Sequence, residues 1–110
     1  MLDRDTAQTY AGWFRTLADP TRVQILNLLA ETGTPMTVGE IVEQVSVGQS
    51  TVSAHLKVLA ETGFVLVEPR GTARLYQVNE ECVSCFPSAA DVVMGRGVRS
   101  FAETIDEEAR

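Results

Sequence analysis

Cys82-Val83-Ser84-Cys85 holds the only two cysteines of this 110-residue chain. If the segment forms a turn of helix, positions i and i+3 lie on one side. Two thiolates there would chelate one soft ion such as As(III), Sb(III), Cd(II) or Zn(II). Tetrahedral zinc would still need two further ligands, and the partner chain of a dimer is one source. A trivalent arsenical or antimonial suits the pair better, with its third bond to solvent, an organic substituent or another thiol. The same two residues would also serve as a disulfide switch, or pack as two small side chains at a helix start. No His lies near them. A thioredoxin-like redox pair needs a parallel sheet beneath the first cysteine. This sequence offers one hairpin and no Gly-Pro between the thiols. It also lacks a Ser/His/Asp set, a phosphate loop and paired acids in a cleft, so the expectation is a non-enzyme with no catalytic residues.

A second constellation lies upstream. Gln49, Ser50, Thr51 and Ser53 are hydrogen-bonding side chains at the start of a helix, with His55 and Lys57 further along it. Helix N-termini attract phosphate, and Gln pairs with adenine edges. Arg70 and Arg74 follow on a hairpin within reach of the same ligand. These eight residues are the candidate DNA contacts. An ordinary solvated helix face with capping chemistry would show the same composition.

The elements that must position these groups are legible from periodicity. Tyr10, Trp13, Phe14 and Leu17 form an i, i+3, i+4, i+7 stripe on a helix over about 5–17. Asp19-Pro20 is an N-cap followed by proline at N1, opening a helix to about Glu31, with Gly33 and Pro35 beyond its end. Thr37-Val38-Gly39-Glu40 is a capping box, with Met36 and Ile41 as a hydrophobic staple. That helix runs to about Val45. After the turn Ser46-Val47-Gly48, a helix from Gln49 to about Thr62 buries Val52, Leu56 and Leu59. Gly63 supplies a left-handed stop. The period then changes to 2. Strands Phe64–Glu68 and Ala73–Val78 flank a turn at Pro69–Thr72. A last helix is expected from Pro87 at N1 to about 109, carrying Val98, Phe101, Ala102 and Ile105.

This order predicts a single domain over 1–110, mainly α with a small β-hairpin. It is a winged helix-turn-helix, with the helix pair at about 37–62 and the wing at about 64–78. The second helix of such a pair enters the major groove. The net charge of -6 argues against nucleic acid when taken whole. By segment it reads differently: residues 1–48 carry -3, residues 49–78 carry +1 and residues 79–110 carry -4. The recognition helix and wing are the one stretch on the positive side. No apolar run approaches the ~20 residues of a membrane span. The acidic start has no signal-peptide core, so a cytoplasmic protein with no membrane partner is expected.

Three separated motifs carry a family resemblance over roughly residues 10–94. Leu17-Ala18-Asp19-Pro20-Thr21-Arg22-Val23-Gln24-Ile25-Leu26 resembles the start of the second helix in the ArsR/SmtB family of metal(loid)-responsive repressors. Gln49-Ser50-Thr51-Val52-Ser53-Ala54-His55-Leu56-Lys57-Val58-Leu59 resembles that family's recognition helix, and Glu61-Thr62-Gly63-Phe64-Val65 its exit. Gly48 stands where the family usually has a Ser N-cap, a change worth a few tenths of a kcal/mol. The resemblance implies a homodimeric repressor, paired through its first and last helices. It implies release from double-stranded operator DNA when an inducer, usually a metal or metalloid, binds. The family's Cys-x-Cys site would fall at Thr37 and Gly39 and is absent. Its His-and-acid site on the last helices lacks a His here. Cys82 and Cys85 remain as the candidate metal ligands, with As(III) or Sb(III) as the suspected inducer and no required cofactor. A redox-responsive, a Zn/Cd-responsive and a metal-free regulator stand as alternatives.

Overall fold

The computed structural model describes residues 1–95, and the side chains of all of these except 82–88. Five helices and one hairpin follow in the order α1 (Arg4–Thr16), α2 (Pro20–Thr32), α3 (Val38–Gln44), α4 (Gln49–Thr62), β1 (Val65–Arg70), β2 (Ala73–Val78) and α5 (Glu80–Val93).

Local chemistry sets the boundaries. The Asp19 carboxylate accepts from the Thr21 and Arg22 amides at 2.8 and 3.1 Å, satisfying donors that the first turn of α2 leaves open. Both arms of the Thr37–Glu40 capping box form, at 3.2 and 2.9 Å. Helix α4 ends in a Schellman motif. Gly63, at φ 94°, donates to Ala60, and the Phe64 amide donates to the Leu59 carbonyl at 2.9 Å. Only a residue without Cβ adopts that φ at low cost. The motif throws Phe64 inward, where it is buried beside Leu59.

The core is one cluster. Ile25 and Leu29 of α2, Ile41 of α3, and Val52, Leu56 and Leu59 of α4 meet Phe64, Val65, Tyr76 and Val78 of the hairpin. In β2 the alternation is visible: Tyr76 and Val78 are buried, while Ala73 and Arg74 near the tip are exposed. In β1 only Val65 is buried. The hairpin is therefore anchored at its base and free at its tip.

Strand β1 extends past the expected Glu68 to Arg70, so the connection shrinks to Gly71-Thr72. Gly71 has φ 62° and Thr72 does not have positive φ. This is the pattern of a two-residue II′ turn, whose twist matches the strands. Arg70 and Ala73 close that turn as a hydrogen-bonded pair. Pro69, opposite Arg74, thus falls in a non-hydrogen-bonded position where its missing N–H costs nothing.

One tie was not visible in the sequence. Met36 exchanges two backbone hydrogen bonds with Tyr76, at 2.9 and 2.8 Å. The expected staple residue is thus buried as a one-residue bridge on the outer edge of β2, fixing the wing to the start of α3.

The last helix starts earlier than expected. Asn79 caps α5, its side-chain oxygen accepting from the Glu81 amide at 3.2 Å. Glu80 and Glu81 place negative charge in the first turn, where the dipole favours it. The helix continues through Pro87 and buries Ala89. An N-cap with acids in its first turn thus outweighs the rule that proline marks N1. The stretch expected to continue this helix, with Val98, Phe101, Ala102 and Ile105, lies outside the described residues. Among the described residues no helix is long and apolar enough to cross a membrane.

Candidate nucleic-acid interface

Helix α4 has two faces. Val52, Leu56 and Leu59 are fully buried against the core. Gln49, Ser50, Thr51, Ser53, Ala54 and Lys57 are exposed. Gly48 at the N-cap has no side chain, so no side-chain cap serves the first amides of α4. Those donors stay open to an anion at the positive end of the helix dipole.

The wing stands over this exposed face. An open crevice of about 690 Å³ separates them. Gln49, Ser53 and Lys57 line it from α4, Thr72 and Arg74 from the hairpin, and Thr37 from the start of α3. Two cations face this space, and no carboxylate lines it. A second hollow, on the other side of the wing, is bordered by Glu80 and Glu81 and by no cation. The overall negative charge is therefore segregated, with local positive potential where α4 and the wing meet. At physiological salt the screening length of about 8 Å keeps distant acids from cancelling it.

The structure thus brings four of the eight expected contacts, Gln49, Ser53, Lys57 and Arg74, into one crevice. Ser50 and Thr51 lie beside it on the exposed first turn of α4. Arg70 lies at the hairpin tip, 72% exposed, with Glu68 at 3.8 Å. So exposed a pair contributes little to stability and leaves the guanidinium available.

His55 is placed differently. Its side chain is 17% exposed and turns to α2, with Nδ1 3.3 Å from an Arg22 guanidinium nitrogen and Nε2 3.8 Å from the Asp19 carboxylate. The spacing contained this signal: His55 is i+3 from Val52 and i−4 from Leu59, on the edge of the buried row. Thr72 was missed for the opposite reason. Its place in the crevice follows from the tight turn at Gly71, and the longer turn expected from Pro69 hid it. The Asp19 carboxyl is held below the ordinary carboxylate range, first by the Arg22 amide, with the neighbouring His55 ring and the Thr21 amide adding to it and partial desolvation opposing.

Cys82 and Cys85 both fall within α5, one helical turn apart; their side chains lie outside the described residues. Among the described residues no group of three or more His, Cys, Asp or Glu side chains is arranged to hold a metal ion.

A tight helix pair whose second helix exposes polar residues beside a basic two-stranded wing defines a winged helix-turn-helix DNA-binding regulator, and not an enzyme. Residues 19–66 match the model of the bacterial regulatory protein, arsR family. The chain is 35% identical over 95 residues to the HTH-type transcriptional regulator Rv2034 of Mycobacterium tuberculosis, covering 86% of this chain and 87% of that one. It is 35% identical over 75 residues to the arsenical resistance operon repressor of Bacillus subtilis, covering 68% and 70%. The homodimeric winged helix-turn-helix domain Mb0332 of Mycobacterium bovis, solved in solution, superposes with a TM-score of 0.66 at 29% identity, covering 84% of this chain and 87% of that domain. The chain belongs to the arsR family of transcriptional repressors.

Proposed function

We propose that this chain represses transcription as a homodimer on double-stranded operator DNA in the cytoplasm. A thiol-binding inducer of the trivalent arsenic or antimony class, held by Cys82 and Cys85, releases it. The crevice between α4 and the wing carries the DNA half of this reading. Lys57 and Arg74 take backbone phosphates, which position the protein, while Gln49 and Ser53 reach base edges, which specify sequence. The similarity to a homodimeric domain supports pairing, and a dimer presents two α4 helices to half-sites about 34 Å apart.

The inducer half rests on the two cysteines one turn apart in α5 and on the similarity to an arsenical resistance operon repressor. Asn79 supplies a route from that turn to α4. Its side-chain amide donates to the Gly63 carbonyl at 2.9 Å, and its backbone N–H donates to the Phe64 carbonyl at 2.9 Å. Chelation that reshapes the first turns of α5 pulls on the exit of α4 and changes the spacing of the two reading helices. Shifts of about 1–2 Å at helix interfaces accompany allosteric couplings of about 1–3 kcal/mol.

The test is release of bound duplex DNA across arsenite, methylated arsenite, antimonite, Cd(II), Zn(II) and peroxide. Arsenite or antimonite is expected to release the wild type. Cys82→Ser and Cys85→Ser should bind DNA normally and ignore both. Release of both variants by arsenite would place the inducer site elsewhere, and release by peroxide alone would make the pair a redox switch.

A further inference from the structure

His55 sits in the middle of the reading helix, yet its ring does not face the crevice. Its Nδ1 lies 3.3 Å from Arg22 Nη1. Arginine has no acceptor, so the guanidinium must donate and Nδ1 must accept. That assigns the neutral ring's proton to Nε2, the nitrogen 3.8 Å from the Asp19 carboxylate. The same Arg22 donates through Nε to the Thr16 carbonyl at 2.6 Å and reaches the Arg15 carbonyl at 3.5 Å. Both carbonyls lie in the last turn of α1, and the Arg15 carbonyl also accepts from the Ala18 amide at 3.1 Å. Thr16 closes the circuit. Its hydroxyl is 2.8 Å from that of Thr62 at the end of α4. Thr62 already donates to the Val58 carbonyl at 2.9 Å, so Thr16 is the donor.

Thus α1, the N-terminus of α2 and two turns of α4 are joined through Arg22. Apolar packing of Val52, Leu56 and Leu59 fixes the depth of α4 and the face it buries, but such contacts are non-directional and hold the fine angle about its axis less tightly than hydrogen bonds do. Directional bonds at His55 and Thr62, about two turns apart, set it. The rotation matters because Gln49 and Ser53 reach base edges only at one angle.

We propose that His55 is a positioning residue of the reading helix and not a DNA contact: with Arg22 and Asp19 it clamps the rotation of α4 against the α1–α2 joint. The proposal rests on the DNA-binding reading above. Breaking the clamp should cost sequence discrimination and leave phosphate contacts intact.

The test uses the full chain and a duplex that the wild type selects from a random pool. Affinity for the selected and for a random duplex is measured against salt concentration for His55→Leu, His55→Asn and Arg22→Lys. Each variant is held well below its own melting temperature. His55→Leu and Arg22→Lys should each lose roughly tenfold in affinity for the selected duplex. Random-duplex affinity and the salt slope should not change, and repeat selection should show weakened preference at every position of the half-site. His55→Asn keeps an acceptor near the place of Nδ1 and should recover most of the loss. A shallower salt slope for His55→Leu would make His55 a phosphate contact, and preference lost at a single base pair would make it a base contact. An unchanged affinity would leave the clamp without a role. Each of these three results overturns the proposal alone. Failure of the wild type to select any duplex would overturn the DNA-binding reading as well.

Discussion

The outer and inner faces of α4 carry similar residue types and do different work. Outside, Gln49, Ser53 and Lys57 are exposed and make no side-chain hydrogen bond among the described residues. Inside and along the edge, His55 and Thr62 are bonded to α1 and α2, beside three fully buried aliphatics. On the proposed reading, the polar side chains whose hydrogen-bonding capacity is left open serve DNA. On the same reading, those whose capacity is filled by the protein, His55 and Thr62, hold the first group in place. Composition does not separate the two classes; helical spacing and the neighbouring α1–α2 joint do.

The sharpest contrast is between adjacent residues. Leu56→Ala should lower the unfolding free energy by about 2–5 kcal/mol, because the cavity lies in a core that collapses only partly. Lys57→Ala, one position along, should stay within about 0.5 kcal/mol of wild type. Urea denaturation of both variants checks the pair, and a comparable loss in Lys57→Ala would erase the division of faces.

Much of this was open to a reading of the sequence. The Asp19-Pro20 start, the Thr37–Glu40 capping box and the Gly63 stop are local signals, and the structure satisfies each through bonds within a few residues. The row Val52, Leu56 and Leu59 followed from 3.6-residue periodicity. Long-range facts were less legible. The Met36–Tyr76 bridge joins segments far apart in sequence, and nothing local marks Met36 as a strand partner. The start of α5 was misjudged because Pro87 drew more weight than Asn79 with its two following acids. The direction of His55 was recoverable from its offset to Val52, but a histidine in a reading helix invites a DNA role first. The crevice required the wing's tilt, which the bridge and the core set together.

A smaller effect tests the inner face by pH. The folded-state pKa of Asp19 lies below its ordinary value of 3.8, chiefly through the Arg22 amide and also through His55. A depressed carboxylate contributes stability that is whole above the unfolded value and fades as pH falls through the folded one. Asp19→Asn keeps a competent cap without the charge. Wild-type and variant stability curves should therefore run parallel above about pH 5, and the wild type should fall more steeply below about pH 4. Parallel curves throughout would mean that the charge of Asp19 contributes nothing to the joint.

The central claim is that the outer face of α4 and the wing together meet DNA. It is tested most directly by the salt dependence of affinity for a selected duplex, comparing wild type with the Lys57→Ala/Arg74→Ala double variant. Each lost phosphate contact reduces the slope by about 0.9, so two per protomer in a dimer should make it shallower by roughly 3.6. An unchanged slope would contradict the account, placing the phosphate contacts somewhere other than this crevice.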